Sequence, residues 1–258
     1  MLIATEKFLA SRASTPSVGL LFVVGEETGG DGMRAFAEYA ANTTFRAGIF
    51  GEPTEGKLAT GHKGTLGLTL AVEGRSAHSA YPQLGLSAIN YLSEAIVAIN
   101  SLEPALPRSE LLGPSTLNVG RVSGGLANNV VAPNATAGVS IRIARSEEGS
   151  VEVVRDMIAG MLAPIIQEVE ERNGTFNATF SSAFYPAQIL STGVPGLEEA
   201  PVFYGTDIPL LPQVGERYLY GEGTIEVAHT PNEQLTRDEL VRGAEAYGLI
   251  LRHLFPEE

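Results

Sequence analysis

The order of predicted secondary-structure elements between residues 62 and 182 constrains the fold more than any other feature of the sequence. Alternating apolar residues predict a strand near residues 65–72, and apolar residues at helical spacing predict a helix near residues 89–99. The elements predicted after them are strands near 117–119 and 139–143, a long helix over 151–169 and a last strand over 176–180. This β-α-β-β-α-β order is that of the ferredoxin-like split motif, in which two helices cover one face of a four-stranded sheet.

The sequence on either side of this segment predicts an α/β sheet. The apolar runs Leu20–Val24, Ala47–Gly51 and Thr224–Ala228 are predicted strands, and a helix capped by Asp31 follows the first of them. The capping-box pattern that begins at Thr236 predicts a helix near the end of the sequence. We therefore expect one discontinuous α/β domain, formed by residues 1–61 and 183–258, with an inserted domain over residues 62–182.

Charged or metal-binding side chains follow each of the three predicted strands. Glu26 and Glu27 come after the first strand, Glu52 after the second and His229 after the third. The carboxyl ends of parallel strands share one edge of a sheet, so these side chains could meet there. Carboxylate oxygens and an imidazole nitrogen suit a zinc site, and a spare carboxylate can accept a proton from a metal-bound water.

Simpler interpretations of the same residues stay open. A pair of glutamates in a turn, such as Glu26 and Glu27, is most often solvated surface, and a glutamate before proline, as at Glu52, is equally ordinary. A histidine after a strand, such as His229, is more often a surface or core residue than a ligand. The zinc hypothesis therefore depends on the coincidence of the three strand ends.

The composition narrows the classes of partner. The 258-residue chain has a net charge of −13 and no long cluster of lysine or arginine. Phosphate groups of nucleic acids and anionic membranes require basic patches, so we expect neither as a partner. The apolar stretches are also shorter than the roughly 18 to 20 residues that a membrane-spanning helix needs.

Cysteine usage and glycosylation patterns bear on the compartment. The sequence has no cysteine, which excludes thiolate metal sites, disulfides and cysteine nucleophiles. The N-glycosylation acceptor pattern occurs at Asn42, Asn134, Asn173 and Asn177, and it matters only in a secretory pathway. We predict a secreted protein on this basis, although no leader is present in the sequence, and a cytoplasmic location is the alternative.

Several segments resemble those of a known family and occur in the same order along the chain. They are Val23–Glu27, Gly51–Thr54, Gly74–Ala80, Gly124–Pro133 and Ala228–Glu233. Together they resemble the M20 metallopeptidases, a family that includes acetylornithine deacetylase, succinyl-diaminopimelate desuccinylase and glutamate carboxypeptidases. The segments Tyr204–Pro209 and Tyr218–Gly221 look most like the carboxypeptidases of fungi, many of which are secreted.

The resemblance implies a hydrolase of amide bonds in small peptides or N-acyl amino acids. In the family, two zinc ions per subunit activate a bridging water that attacks the substrate carbonyl. By motif, Glu26 corresponds to the general base, and Glu27, Glu52 and His229 correspond to metal ligands. The discontinuous domain would be the catalytic domain, and the insert would be a lid and dimerisation domain.

The resemblance also implies roles for three residues of the insert. His78 corresponds to a residue that polarises the substrate carbonyl from the neighbouring subunit's lid, which implies a homodimer. Asn129 and Arg142 resemble lid residues that bind the substrate's carboxylate, a task suited to guanidinium geometry. The alternatives are a surface histidine in a serine-rich turn for His78 and a solvated strand face for Arg142.

The sequence departs from the family at two metal-binding positions. The family's His-x-Asp motif and its bridging aspartate are absent, and the four histidines, which are His62, His78, His229 and His253, do not form that motif. We therefore expect an N-terminally truncated and catalytically incomplete member of the family. The alternative is a non-catalytic dimerisation or binding module that keeps the lid domain.

Overall fold

The computed structural model describes residues 1–14 and 16–256. The helices are α1 (Leu2–Ala10), α2 (Asp31–Tyr39), α3 (Ala88–Ser101), α4 (Ser150–Glu171) and α5 (Arg237–Leu254). The strands are β1 (Phe45–Phe50), β2 (Leu58–Ala59), β3 (Gly61–His62), β4 (Gly64–Glu73), β5 (Arg108–Ser109), β6 (Gly113–Pro114), β7 (Thr116–Gly124), β8 (Asn134–Ile143), β9 (Thr175–Phe180), β10 (Gln188–Ile189), β11 (Glu199–Ala200) and β12 (Val214–Leu219).

The chain forms two compact units. The first unit comprises residues 1–62, 188–202 and the described residues from 206 onward. The second unit comprises residues 63–187 and 203–205. None of the helices within residues 1–14 and 16–256 combines the length and the apolar character that crossing a bilayer requires.

The second unit contains a four-stranded antiparallel sheet with the order β7-β8-β4-β9. Helix α3 follows β4 in the chain, and helix α4 connects β8 to β9. This is the predicted β-α-β-β-α-β arrangement of a ferredoxin-like fold. The short pair of β5 and β6 lies between α3 and β7 and is an addition that the periodicity did not predict.

The helices of the second unit cover one face of its sheet. Leu66, Leu68 and Leu70 of β4 point toward this face and are at most 3% exposed, and they pack with Val154 and Ile158 of α4. Burying each of these side chains contributes about 1.5–3 kcal/mol. The residues that alternate with them in β4 lie on the helix-free face and are largely half-buried or exposed.

The first unit contains short strand pairs rather than one continuous sheet within the described residues. Strand β1 pairs in parallel with β12, β2 pairs in parallel with β11, and β3 pairs antiparallel with β10. Helix α5 packs its buried Ile250 and Leu254 with Tyr218 and Tyr220. The chain is thus a mixed α/β protein, as predicted.

Two predicted strands of the first unit do not form. Residues 20–24 adopt no regular structure, and Phe22 and Val24 are 75% and 77% exposed. Ile225–Val227 is a short 3₁₀ helix, where a strand over residues 224–228 was predicted. Apolar residues alone cannot form a strand because its backbone groups need a partner, and no described strand pairs with either segment.

The predictions for two helix starts have different outcomes. The capping box at Thr236 and Glu239 is present, and α5 begins directly after Thr236. Helix α2, in contrast, has Gly30 at its N-cap position without a side-chain cap, and Asp31 is its first residue. The prediction that Asp31 caps this helix was therefore wrong by one position, because Gly30 adopts the left-handed conformation with φ of 75°.

Candidate active site

A glycine-bounded turn presents the first two candidate residues. Glu26 begins a 3₁₀ turn over Glu26–Thr28 that follows Gly25. The turn is closed by the backbone N–H of Gly30, which donates a 2.7 Å hydrogen bond to the carbonyl oxygen of Gly25. Glu26 is half-buried and Glu27 is exposed. The two neighbouring carboxylates therefore lie in different environments, which suits them to different roles.

Glu52 follows β1 and lies close to these carboxylates. Burial is the main cause that raises the pKa of Glu52 to about 7, and the negative charges of Glu26, Glu27 and Asp207 raise it further. A carboxylate prefers to stay protonated near other carboxylates when water does not solvate it fully. The elevated pKa thus reports a cluster of acidic groups at this end of β1.

His229 lies beside the same cluster. Its Nε2 atom is 3.4 Å from Oε2 of Glu27, and both side chains are largely exposed. Burial raises the pKa of Glu26, as do Asp207 and Glu27, whereas His229 lowers it. The structure thus brings together Glu26, Glu27, Glu52 and His229, although the strand predicted to deliver His229 is absent.

The backbone of His229 has an unusual conformation. Its φ is 61°, and its N–H donates a 2.9 Å hydrogen bond to Oε2 of Glu233. A non-glycine residue in the left-handed region costs on the order of 1–3 kcal/mol, and such residues are concentrated at functional sites. Glu55 and Asn173 are the other described non-glycine residues with a positive φ.

Asp207 belongs to this cluster and was missed by the sequence analysis. It is 9% exposed, and burial raises its pKa. The preceding Thr206 has its Oγ1 atom 3.1 Å from Nε2 of the buried His62 and accepts a 3.2 Å hydrogen bond from the N–H of Ile208. One signal for Asp207 was present in the sequence, namely an acidic residue between two apolar stretches.

Two predicted lid residues meet at one end of the second unit's sheet. His78 forms an isolated β-bridge with Val130, and the N–H of Ser79 donates a 3.0 Å hydrogen bond to the carbonyl oxygen of Asn129. His78 is exposed, and its Nδ1 accepts a 3.1 Å hydrogen bond from the N–H of Ala80. This geometry places His78 and Asn129 next to each other on the loops that follow β4 and β7.

Arg142 lies at the other end of the same sheet. It pairs with Thr65 near the start of β4, whereas Asn134, at the start of β8, pairs with Glu73 at the end of β4. The eight residue steps from Asn134 to Arg142 span roughly 27 Å of extended strand. Within one chain, the structure therefore does not bring Arg142 together with His78 and Asn129.

Comparison with known proteins agrees with the resemblance. Residues 60–176 match the peptidase dimerisation domain of the M20 type. A probable carboxypeptidase of Aspergillus fumigatus is 41% identical over 97% of this chain and 59% of its own length. Over most of its length the chain is therefore similar to such a carboxypeptidase, and part of it matches the M20 dimerisation domain. A probable carboxypeptidase of Aspergillus flavus is 42% identical over 93% of this chain and 58% of its own length. The chain thus spans about three-fifths of the length of these curated relatives.

Solved structures share the fold of this chain. The aminopeptidase PepT from Bacillus cereus aligns with a TM-score of 0.66 at 20% identity, over 90% of this chain and 63% of its own. A tripeptidase from Staphylococcus aureus aligns with a TM-score of 0.67 at 21% identity, over 90% of this chain and 62% of its own. At this level of identity the likeness shows the fold alone.

M20 peptidases generally use metal ions, so the acidic cluster can be tested for its fit to a metal. The donor types suit zinc, but within residues 1–14 and 16–256 no group of three or more such side chains is close enough to hold an ion. Glu27 and His229 are in contact, and two ligands fall short of the three that an open zinc site needs. The described residues therefore do not form a complete metal centre.

The four asparagines of the glycosylation patterns are accessible in this chain. Asn42 follows α2, Asn134 begins β8, Asn173 lies in the turn after α4 and Asn177 lies in β9. All four are exposed. Exposure is a requirement for attachment of a glycan, and each of these positions meets it.

Proposed function

We propose that this chain carries part of the active site of an amide-bond hydrolase of the carboxypeptidase type. The observation that carries the proposal is the cluster of Glu26, Glu52 and Asp207, with Glu27 and His229 beside it. Burial raises the pKa of all three carboxyl groups, and neighbouring carboxylates raise those of Glu26 and Glu52 further. Strongly perturbed carboxyl groups are concentrated at functional sites. The names of the fungal relatives, which are probable carboxypeptidases, support peptides as substrates. N-acyl amino acids are the proposed alternative substrates.

Glu26 is the proposed general base of the reaction. It is half-buried, and its raised pKa makes the carboxylate a stronger base than a solvated glutamate. Such a base accepts a proton from the attacking water and later transfers it to the leaving amine. After burial, the charges of Asp207 and Glu27 raise the pKa of Glu26 further toward the range that this transfer needs.

Zinc dependence is the finer part of the proposal. Glu27, Glu52 and His229 are the proposed ligands, and only Glu27 and His229 are in contact. We expect the unchanged chain to retain fewer than two zinc ions after dialysis, as measured by elemental analysis. Two tightly bound ions per chain, and fewer in His229→Ala, would contradict the proposal that this chain is catalytically incomplete.

The placement of the lid residues supports a homodimer. His78 and Asn129 lie together, far from Arg142 along the same sheet. Residues that serve one site but lie at opposite ends of one sheet can act together if a second copy contributes one set. We propose that His78 and Asn129 act at the neighbouring subunit's site and that Arg142 binds the substrate's carboxylate.

The hydrolase proposal is tested by an activity assay on the purified chain. The substrates are N-acetyl amino acids and dipeptides, each assayed with and without added zinc. We expect any hydrolysis to be lost in Glu26→Gln and retained in Glu38→Gln, which alters an exposed glutamate of α2. Equal hydrolysis by the Glu26→Gln variant and the unchanged chain would exclude Glu26 as the base.

A non-catalytic dimerisation or binding module is the second candidate. The observation that favours it is the contrast between a complete second unit, with its four-stranded sheet, and an incomplete metal centre in the first unit. This candidate predicts self-association of the chain with no hydrolysis under any metal condition. Zinc-dependent hydrolysis that requires Glu26 would exclude it.

Secretion is proposed from the acceptor asparagines. Four exposed acceptor sites in one chain are consistent with a protein that passes through a secretory pathway. Expression in a eukaryotic secretion system should yield a chain whose mass falls after enzymatic removal of N-glycans. An unchanged mass would favour the cytoplasmic alternative.

A further inference from the structure

A row of residues on the helix-free face of the second unit places a tyrosine beside Arg142. In the sheet, Arg142 of β8 pairs with Thr65 of β4, and Thr65 forms an antiparallel bridge with Tyr185. The N–H of Thr65 donates to the carbonyl oxygen of Tyr185 at 3.0 Å, and the N–H of Tyr185 donates back at 3.2 Å. Directly opposed residues of antiparallel strands point to the same face, so Arg142 and Tyr185 share the helix-free face.

The two side chains converge on the backbone of Gly205. A Cβ atom at this position would lie 2.7 Å from Oη of Tyr185 and 2.9 Å from Nη1 of Arg142. A side chain at this position would require the hydroxyl and the guanidinium to shift, so glycine leaves room for both groups beside the backbone. Gly205 belongs to the second unit together with Arg142 and Tyr185.

No anionic side chain among the described residues pairs with the Arg142 guanidinium. The residue is half-buried, and no described residue forms a hydrogen bond or an ion pair with its guanidinium. A partly desolvated cation is unfavourable unless it is paired, and a guanidinium pairs best with a carboxylate through two parallel hydrogen bonds. The arrangement therefore indicates an anionic ligand.

We propose that Tyr185 is a specificity-determining residue that binds the substrate's carboxylate together with Arg142, at a site kept open by Gly205. The proposal rests on the proposed carboxypeptidase-type function, which requires a substrate with a free carboxylate. Arg142 supplies the charge, and the Tyr185 hydroxyl supplies a directional hydrogen bond. A neutral amide in place of the carboxylate loses the charge-assisted part of both interactions.

The test compares the binding of N-acetylglycine with that of N-acetylglycinamide to the full chain, by calorimetry or by NMR titration. We expect the unchanged chain to prefer the acid, and Tyr185→Phe to weaken acid binding roughly tenfold with little effect on the amide. Arg142→Gln should abolish the preference. Tyr39→Phe, which removes a hydroxyl from an 89% exposed tyrosine, is the matched control and should bind like the unchanged chain.

The ratio of acid to amide affinity distinguishes a direct contact from a structural effect. A general loss of folding weakens the binding of both ligands equally and leaves the ratio unchanged. Gly205→Ala is the second variant, and it should lower the same ratio by forcing the two side chains apart. The proposal is overturned if Tyr185→Phe keeps the ratio of the unchanged chain, or if the unchanged chain has no preference for the acid.

The hydrolysis assay distinguishes this inference from the proposed function. Hydrolysis with an acid preference that Tyr185→Phe leaves unaltered would overturn the role of Tyr185 and leave the hydrolase proposal intact. A Tyr185-dependent acid preference in binding, without hydrolysis, would support the carboxylate site and contradict the activity.

Discussion

At the scale of single residues, the main feature is a group of acids held closer together than their charges favour. Glu52 shows this most clearly, because burial and three neighbouring carboxylates raise its pKa to about 7. Burial of such a group costs stability, and an uncharged residue would avoid this cost. The presence of the cluster is therefore consistent with a role in binding or catalysis.

The raised pKa of Glu52 predicts a specific dependence of stability on pH. The ordinary pKa is 4.5 and the folded value is about 7, so the folded state binds the proton more tightly than the unfolded state does. This contribution is fully present below pH 4.5 and is lost as the pH rises through about 7. In chelator-treated protein, Glu52→Gln should therefore reduce the fall in Tm over this window, as measured by circular dichroism. The control Glu38→Gln should melt like the unchanged chain, and a Glu52→Gln profile identical to both would contradict the prediction.

At the scale of elements, the second unit is stabilised mainly by one buried face of its sheet. Strand β4 is central, with β8 on one side and β9 on the other, and Leu70 at its middle is fully buried. Around a central strand that packs under helices, the neighbouring side chains cannot easily shift to fill a cavity. Changes on this strand should therefore affect the whole unit.

Leu70→Ala should lower the free energy of unfolding by about 2–5 kcal/mol, because it removes a buried side chain and leaves a cavity. Urea unfolding followed by circular dichroism measures the loss. Thr69→Ala, on the exposed face of the same strand, should change stability far less. Equal losses in the two variants would show that the two faces of β4 are not as different as their burial indicates.

A substitution at the start of α5 should have a smaller effect on stability than Leu70→Ala. Thr236 accepts a hydrogen bond from the N–H of Glu239, and the Glu239 carboxylate accepts one from the N–H of Thr236. Thr236→Ala should destabilise the chain by about 1 kcal/mol because the first turn loses its cap, and Thr236→Ser should restore most of it. Thermal unfolding of the three proteins tests this expectation, and an alanine variant as stable as the serine variant would contradict it.

At the scale of the whole molecule, the dimerisation domain predicts association of two chains. The match over residues 60–176 is to a peptidase dimerisation domain, and residues 63–176 of this segment belong to the second unit. Sedimentation velocity at micromolar concentration should show a species of twice the 27.2 kDa chain mass. A single monomeric species would contradict the homodimer and, with it, the proposed action of His78 at the neighbouring site.

The sequence alone predicted most of the second unit. Alternation in β4 and β8 and helical spacing in α3 and α4 are local patterns, and all of these elements lie within one continuous segment of chain. The same kind of local pattern was misleading at residues 20–24 and 224–228, because a strand also requires a partner whose presence the pattern does not report.

The candidate sites also contain some residues that the sequence predicted and some that it did not. Motifs in the sequence were sufficient to single out Glu26, Glu27, Glu52 and His229, and the structure places them close to one another. Asp207 lies near Glu26 and Glu52, which are well over a hundred residues away in the sequence. Tyr185 lies beside Arg142, which is about forty residues away in the sequence. Burial and distance between such residues are properties of the folded chain, so the composition of the acidic cluster and the neighbour of Arg142 were decided only by tertiary structure.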